Sequence, residues 1–210
     1  VKHALQSSLR KAEKLKAKMQ FKQAERSDDD PIFDVQNLFD LPLNILADQL
    51  TIYQYEISRS VRSYEYCGVK WRKQKTGCPH VITMLDKFVR LSEWAALQIV
   101  LKETPEERVE LMRKFVYLCK HLEARRNFQT LFAIVGGITS ASVYRLHRTK
   151  ELMSAKEMAT FEDLRELVSL RGNFMRLRAQ LDSCTSLPSI PYTGFFLADL
   201  KSIYDTQRSI

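Results

Sequence analysis

One segment of the chain, residues 104–122, restricts the fold more than any other. Thr104 can cap a helix, Pro105 suits the first helical position, and Glu107 can complete a capping box. Two apolar stripes follow at helical spacing, and together they cover more than half of the helix circumference, so other elements must surround this helix. The stripes consist of Val109, Met112, Val116 and Cys119 and of Leu111, Phe115, Leu118 and Leu122. The sequence therefore predicts a helix in the middle of a core.

The rest of the chain is also patterned as helices. Apolar residues recur at helical spacing, strand-length alternation is missing, and glycine and proline number six each. On the helix that follows the loop 67–79, we assign Ile82, Leu85, Val89 and, further along, Trp94 and Leu97 to the apolar face. Further helices are predicted from Pro42 onward and over residues 127–138, 157–170, 173–183 and 191–205. The predicted fold is therefore all-α, an irregular assembly of many helices without a repeat.

The first 30 residues differ from the rest in composition. Residues 8–26 are rich in Lys, Ala, Glu and Gln and carry few large apolar side chains, which is typical of a polar helix. The acidic run 27-SDDDP-31 follows and ends in proline, as linkers often do. We therefore predict a basic helical appendage and acidic linker over residues 1–30 and a main domain over residues 31–210.

Charge and composition narrow the possible functions. The net charge is +8, and much of the excess lies between Lys2 and Arg26, where a solvated helix face explains it. Nucleic-acid binding through this segment and 70-KWRKQK-75 is the alternative. The four cysteines and four histidines lack the spacing of a metal site, and no apolar run reaches the ~20 residues of a membrane span. We expect an intracellular, soluble protein without a metal.

No motif of covalent catalysis or phosphate binding is present. The chain lacks a phosphate-binding loop, a dinucleotide fingerprint, a zinc-protease motif and a serine-hydrolase elbow. Glu162, Asp163 and Glu166 share a helix with Arg165, and such exposed ion pairs are weak evidence of a catalytic site. The sequence thus favours a protein that acts on another macromolecule and needs no cofactor.

The segment 133-AIVGGITSASVYRL-146 leaves two interpretations open. An apolar run passes through Gly136 and Gly137 into small polar residues and then reaches Tyr144 and Arg145. The segment is either a buried helix that simply ends in a loop, or a helix end that presents Tyr144 and Arg145 to a partner.

Four stretches, taken together, resemble a known family. They are 46-LADQLT-51, residues 94–146, 171-RGNF-174 and 188-PSIPYTGFFLADL-200. In order and spacing they resemble the catalytic domain of Ras-family guanine-nucleotide exchange factors, the all-helical RasGEF module of Sos and its relatives. The resemblance covers about residues 40 to 205.

The resemblance implies a bowl-shaped domain that acts without covalent chemistry. Such a domain grips switch 2 of a small GTPase and opens switch 1 with a helical hairpin, so that GDP leaves and GTP enters. The implied partner is a Ras-family small GTPase of the Ras, Rap, Ral or Rheb type, without nucleic acid, and the membrane is involved only through the lipid-anchored GTPase. The implied location is therefore the cytoplasm at membrane surfaces. The alternative is a catalytically weak pseudo-exchange factor that binds the GTPase as a scaffold.

The resemblance also assigns interface residues by position. Tyr144 matches a tyrosine at the switch 2 interface, and Trp71 matches an interface tryptophan, whereas we interpret Arg145 as an internal salt-bridge former. The full set of implied GTPase-binding residues is Trp71, Ile82, Phe132, Gly136, Thr139, Tyr144 and Phe174.

Three further residues are implied for the hairpin, namely Tyr192, Lys201 and Asp205. Tyr192 lies at the base of its first helix, and the other two match positions that reach toward the magnesium and phosphate region. The Asp205 carboxylate is expected to repel phosphate, and Lys201 to attract it. In the family a second helix braces the first, whereas residues 206–210 alone remain here. We therefore expect this chain to bind the switch 2 side of its GTPase but to speed GDP release much less than a version extended through a second hairpin helix.

Overall fold

The computed structural model describes residue 39 and residues 41–73, 77–183 and 188–207. The predicted basic appendage and acidic linker over residues 1–30, the start of the main domain, and Cys184 lie outside these residues. In the described part the fold is all-α, as predicted, and its one extended pairing is an isolated bridge between Asn127 and Ile190. No helix in these ranges is both long enough and apolar enough to cross a membrane.

Ten α-helices and a 3₁₀ segment make up the described part of the chain. In chain order they are α1 Leu43–Ser60, the 3₁₀ segment Ser63–Val69, α2 Lys70–Lys73, α3 Pro79–Val100, α4 Pro105–Ala124, α5 Phe128–Ile138, α6 Ala141–Tyr144, α7 His147–Glu151, α8 Ala155–Leu167, α9 Met175–Asp182 and α10 Thr193–Gln207. Helix α4 contacts α1, α3, α5, α7 and α8, so it is the central helix of the core.

The sequence prediction for α4 is confirmed. Thr104 Oγ1 accepts a hydrogen bond from Glu107 N at 3.2 Å, and the Glu107 carboxylate accepts one from Thr104 N at 3.1 Å, which is the predicted capping box. All residues of both apolar stripes are buried. Phe115 has no exposed surface and packs edge-on against Trp94. Burial also raises the pKa of the Cys119 thiol, as expected of a core cysteine.

Trp94 and Leu97 in the second half of α3 are buried as predicted, but the apolar face that we predicted for the first half is wrong. Val81 and Met84 are buried there instead. The physical reason is that this half of α3 meets the start of α10, where the Thr193 hydroxyl donates to the Met84 sulfur from 109 residues further along the chain. Helical spacing alone gives no information about such a distant neighbour. The three residues assigned to this half of the face are half-buried or exposed: Ile82, Leu85 and Val89.

Residues 67–79, predicted as a loop, are partly helical where the structure describes them. Gly68 and Val69 adopt left-handed backbone angles, with φ of 71° and 55°, and turn the 3₁₀ segment into α2. This turn places Trp71 on a short helix.

Helices α3 and α5 approach each other closely because of Gly137. A Cβ atom added to Gly137 would lie 2.3 Å from the Ser92 carbonyl oxygen and 2.9 Å from Ala95 Cβ. Only glycine therefore fits at this crossing, which brings the α5 backbone against α3.

The segment before α10 is tied to the start of α5. Ile190 N donates to Arg126 O, and Phe128 N donates to Ile190 O, both at 2.9 Å. Asn127 between them is fully buried and caps α5, since its side-chain oxygen accepts from Thr130 N at 3.1 Å. The start of α10, which we call its root, therefore lies beside α5.

Candidate functional site

Five aromatic rings from distant parts of the chain form one cluster. They belong to Phe88 of α3, Phe132 of α5, Phe174 before α9, and Tyr192 and Phe195 near the start of α10, and we call them the aromatic cluster. The Tyr192 ring stacks on Phe132 with 4.1 Å between centroids, and it lies 5.7 Å from Phe174 and 5.5 Å from Phe88. The structure thus brings together three predicted site residues, Phe132, Phe174 and Tyr192.

These three residues differ in exposure. Phe132 is 6% exposed and Phe174 is 8% exposed, whereas Tyr192 is half-buried. Burial raises the pKa of the Tyr192 hydroxyl, which stays protonated at neutral pH. In the isolated chain the two phenylalanines therefore act mainly as packing that fixes the Tyr192 ring at the surface.

Two contacts hold Tyr192 in this place. A Cβ atom added to Gly194 would lie 2.2 Å from Tyr192 Cζ, so the ring rests directly against a residue that has no side chain. The backbone N–H of Thr193, which follows Tyr192, donates to the buried Gln129 Oε1 at 2.8 Å. Helix α10 is therefore anchored to α5 at its first residue.

Phe174 reaches the cluster through an unusual backbone. Gly172, Asn173 and Phe174 have φ of 56°, 54° and 62°, three consecutive residues in the left-handed region. This conformation is uncommon for residues with a side chain and costs roughly 1–3 kcal/mol each, so the surrounding contacts must enforce it. Such a backbone is a mark of a site where geometry matters.

The two glycines of the segment 133–146 have different surroundings. Gly137 faces α3, whereas Gly136 is exposed, and a Cβ atom added there would meet only Ser92 Oγ at 3.5 Å. Thr139 follows as the half-buried last residue of the turn, and its Oγ1 donates to Val135 O at 2.7 Å. The outward side of the α5 end is thus small and smooth at Gly136.

Tyr144 ends α6 with 55% of its surface exposed. Lys150 Nζ lies 4.0 Å from the Tyr144 ring centroid in a cation–π contact, and burial lowers the pKa of Lys150. Arg145 is exposed, and the ion pairs of the described residues include none from Arg145, so the internal salt bridge that we predicted for it is not found. The structure thus has a buried helix α5 followed by an exposed Tyr144, and the presentation of Tyr144 to a partner stays a prediction.

The start of α3, which carries Ile82, is positioned by Glu65. The Glu65 carboxylate has no exposed surface and accepts hydrogen bonds from His80 N at 2.9 Å and Val81 N at 3.1 Å, in the first turn of α3. Its Oε1 lies 2.6 Å from His80 Nδ1. Burial opposes ionisation of Glu65, but the hydrogen bonds from Val81 and His80 outweigh it and lower its pKa. This carboxylate joins the 3₁₀ segment to α3, so that Trp71 and Ile82, both half-buried, flank one junction.

Lys201 and Asp205 lie one turn apart on α10 and form an ion pair with each other. The family resemblance implies opposite effects of the two charges on phosphate. Because they are paired, this end of α10 presents a dipole with little net charge.

The ten predicted site residues therefore fall into four groups. These are Phe132, Phe174 and Tyr192 of the aromatic cluster; Gly136, Thr139 and Tyr144 of the segment 133–146; Trp71 and Ile82; and Lys201 and Asp205. Helix α3 links them, because it contacts α5, α6 and the 3₁₀ segment, and the 3₁₀ segment contacts α10. The residues that hold the groups in place have little local signal in the sequence. Gly194 alone has one, as a glycine two residues after a conspicuous aromatic. The supporting residues that the sequence pattern does not predict are Glu65, Phe88, Gln129, Arg178, Gly194 and Asp199.

The arrangement offers aromatic and apolar contact area on rigid helices. Among the described residues, no group of three or more His, Cys, Asp and Glu side chains is placed to hold a metal ion. Exposed aromatics on a fixed support are what a protein-binding surface requires.

Comparison with known proteins identifies the family. The RasGEF domain matches residues 45–210. Ras guanine nucleotide exchange factor A of Dictyostelium discoideum is 33% identical over 169 residues, which are 80% of this chain and 28% of that protein. Ras-specific guanine nucleotide-releasing factor RalGPS1 of Mus musculus is 30% identical over 192 residues, 89% of this chain and 32% of that protein. The chain thus spans about a third or less of the length of these relatives.

Proposed function

The chain belongs to the RasGEF domain family, and on that premise we propose that it binds a Ras-family small GTPase and accelerates GDP release, so that GTP can bind. The family match over residues 45–210 carries the proposal. The surface supports it, because Tyr144 is exposed on α6, Trp71 is half-buried on α2, and Tyr192 is half-buried just before α10.

The proposed activity is a linkage between two ligands of the GTPase. A protein that prefers the nucleotide-free GTPase weakens nucleotide binding by the same factor by which the nucleotide weakens its own binding. Each tenfold change in GDP affinity requires about 1.4 kcal/mol of this coupling. Exchange therefore needs a well-ordered contact surface and no reactive group.

Tyr144 and Trp71 are the proposed anchors of the interface. Large aromatic side chains desolvate much area at a small entropy cost, which makes them frequent hot spots. Tyr144 is exposed, and the Lys150 ammonium group lies over its ring. The other proposed GTPase contacts are Ile82, Phe132, Gly136, Thr139 and Phe174, with the two phenylalanines acting through the Tyr192 ring that they support.

Helix α10 is the element that we propose opens switch 1 of the GTPase, and we call it the wedge. Tyr192 forms its root, and Lys201 and Asp205 lie on its distal half, where they would meet the nucleotide region of the GTPase. The proposed substrate is a GTPase of the Ras, Rap, Ral or Rheb type. Since such GTPases are lipid-anchored, the proposed place of action is the cytoplasmic membrane surface.

One observation favours a second candidate, a GTPase-binding scaffold with weak exchange activity. The Asp205 charge proposed to repel phosphate is paired with Lys201, which reduces its field at the nucleotide. In this case the chain would bind the GTPase and leave GDP release nearly unchanged.

Release of fluorescent GDP from purified Ras, Rap, Ral and Rheb-type GTPases tests the proposal. We expect acceleration of at least one of them, and we expect Tyr144→Ala and Trp71→Ala each to weaken binding of the nucleotide-free GTPase by about 2 kcal/mol or more. Tyr117→Ala is the matched control, because Tyr117 is 44% exposed on α4, outside the four groups.

The outcomes separate the candidates. Binding without acceleration of GDP release would favour the scaffold. The absence of both binding and acceleration would refute the proposed function. If Tyr144→Ala, Trp71→Ala and Tyr117→Ala all bind like the unmodified chain, the proposed face is wrong. Titrating the chain with a GTPase and with nucleic acid at two salt concentrations tests the nucleic-acid alternative. Phosphate contacts weaken steeply with salt, whereas a GTPase held through aromatic contacts should stay bound at moderate salt.

A further inference from the structure

A polar cluster at the middle of α10 joins this helix to the loop before α9. The Asp199 carboxylate accepts hydrogen bonds from Arg178 Nη2 at 2.7 Å and from Asn173 Nδ2 at 3.2 Å. Arg178 Nε also donates to the Asn173 carbonyl oxygen at 2.8 Å. We call Asp199, Arg178 and Asn173 the α10 latch.

The latch holds the unusual backbone beside the aromatic cluster. Asn173, which makes two of the three hydrogen bonds, has φ of 54°, and the next residue, Phe174, has φ of 62°. The Arg178 guanidinium lies 4.5 Å above the Phe195 ring, so the same side chain touches the aromatic cluster. The latch and the aromatic cluster are therefore in direct contact, and together they join α9, its preceding loop and α10.

The position of Asp199 along α10 gives the latch its importance. The buried residues of α10 are Thr193, Phe195 and Leu197, all before Asp199, and every residue from position 200 to 207 is half-buried or exposed. Apolar burial at the root is non-directional, whereas hydrogen bonds have a defined geometry. The latch lies at the boundary between the anchored root and the outward half.

From this geometry we infer that the α10 latch is a positioning device for nucleotide exchange, because it sets the direction in which the outward half of α10 meets the GTPase. The inference rests on the proposed function. Asp199, Arg178 and Asn173 are positioning residues that act through α10 and need not touch the nucleotide. If α10 is already held in one direction, less of the coupling free energy between GTPase binding and GDP release is spent on ordering this helix.

If the latch had a purely structural role, its removal would mainly lower the stability of the folded chain. The Arg178 and Asp199 side chains are 32% and 36% exposed, so solvent screens their attraction and the pair contributes little to global stability. The hydrogen bond from Arg178 lowers the pKa of Asp199, which keeps the carboxylate charged at neutral pH. Removing the latch should therefore change the direction of α10 far more than it changes the unfolding transition.

The test uses Asp199→Asn, Arg178→Gln and Arg178→Lys in the full chain. For the GTPase that the unmodified chain accelerates, we expect the maximal rate of fluorescent GDP release to fall at least about tenfold, since small misplacements have large effects on rate. The half-saturating concentration and the urea midpoint should stay near those of the unmodified chain. Hydrogen exchange of backbone amides 200–207 should become faster, because the outward half of α10 loses its restraint.

Arg176→Gln is the matched control, because Arg176 is also on α9 and pairs with Asp163 of α8 rather than with α10. It should leave rate and α10 exchange unchanged. Lysine cannot reproduce the two-pronged contact of Arg178, so Arg178→Lys should behave like Arg178→Gln. Full activity of Asp199→Asn or of Arg178→Lys, or equal losses in the Arg176→Gln control, would overturn the inference. If the unmodified chain accelerates none of the four GTPases, the proposed function itself fails, and this role of the latch fails with it.

Discussion

Two pairs of helices in this domain begin in opposite ways. Helices α4 and α8 begin with local capping boxes, Thr104 with Glu107 and Ser154 with Glu157. Helix α3 instead receives its cap from Glu65, at least 14 residues before its first turn, and α9 begins at a left-handed Phe174 that the α10 latch holds in place. The locally capped α4 builds the core, whereas the starts of α3 and α9 flank the candidate site.

Local caps and distant contacts contribute differently: the first stabilise a helix, and the second also fix where the helix lies. A local cap satisfies helix ends wherever the helix lies, so it contributes to folding without specifying a neighbour. A cap from a distant residue also fixes the relative position of two elements. In this domain the Glu65 cap positions Ile82 at the start of α3, and the α10 latch, a distant contact rather than a cap, holds the backbone at Phe174. Ile82 and Phe174 are both proposed GTPase contacts.

The largest expected effect belongs to the core. Phe115→Ala should lower the free energy of unfolding by about 3–5 kcal/mol, because it leaves a cavity beside Trp94 and Phe39, 5.4 and 5.0 Å away between ring centroids. Urea unfolding followed by circular dichroism measures it. The molecules that remain folded should bind the GTPase as before. An unfolding curve like that of the unmodified chain would contradict the central place of α4.

The two kinds of cap should differ in cost. Thr104→Ala should cost about 1 kcal/mol, as local caps do. Glu65→Ala should cost about 2–4 kcal/mol, since the backbone N–H groups of His80 and Val81 lose their acceptor in a buried place. Urea unfolding of both variants makes the comparison, and Glu65→Ala should also weaken GTPase binding through Ile82, which lies on the first turns of α3. Equal costs and equal binding would remove the distinction between the two kinds of cap.

The cost of Glu65→Ala should also depend on pH. The pKa of Glu65 in the folded chain lies below its ordinary value of 4.5. A lowered carboxylate pKa stabilises the folded state above that ordinary value, and the contribution is lost as the pH falls through the folded pKa. The difference in unfolding free energy between the unmodified chain and Glu65→Ala should therefore be constant near neutral pH and shrink in acid.

The same contrast explains which features could be predicted from the sequence. The capping box and the two stripes of α4 lie within 19 residues, so spacing alone predicts that helix and its burial. The Glu65 contact to α3 and the contact of Arg178 with Asp199 join residues 15 to 21 positions apart in separate elements, and no periodicity marks them. The family resemblance assigned Tyr144 and Tyr192 by position, but the stacking of Tyr192 on Phe132 depends on how three elements pack.

A smaller effect is expected where α5 crosses α3. Gly137→Ala would place a Cβ atom 2.3 Å from the Ser92 carbonyl oxygen, a backbone atom that cannot move without shifting α3. The cost should be about 1–3 kcal/mol of unfolding free energy, as for other overpacked sites. Thermal and urea unfolding measure it, and a variant as stable as the unmodified chain would show that the helices can separate freely.

The smallest effect on stability belongs to the neighbouring glycine, and its sign should be opposite. A Cβ atom at Gly136 would meet Ser92 Oγ at 3.5 Å, an ordinary contact, and alanine favours helix over glycine by up to about 1 kcal/mol. Gly136→Ala should therefore leave the unfolding free energy equal or slightly higher. If the exposed end of α5 contacts the GTPase, the added methyl group occupies space that the partner needs, and binding of the nucleotide-free GTPase should weaken severalfold. Binding measured beside Gly137→Ala separates the two surfaces of one helix, since Gly137→Ala should lose stability while its folded fraction still binds. Normal binding by Gly136→Ala would exclude this end of α5 from the interface, and a loss of stability would show that Gly136, like Gly137, belongs to the packing of the core.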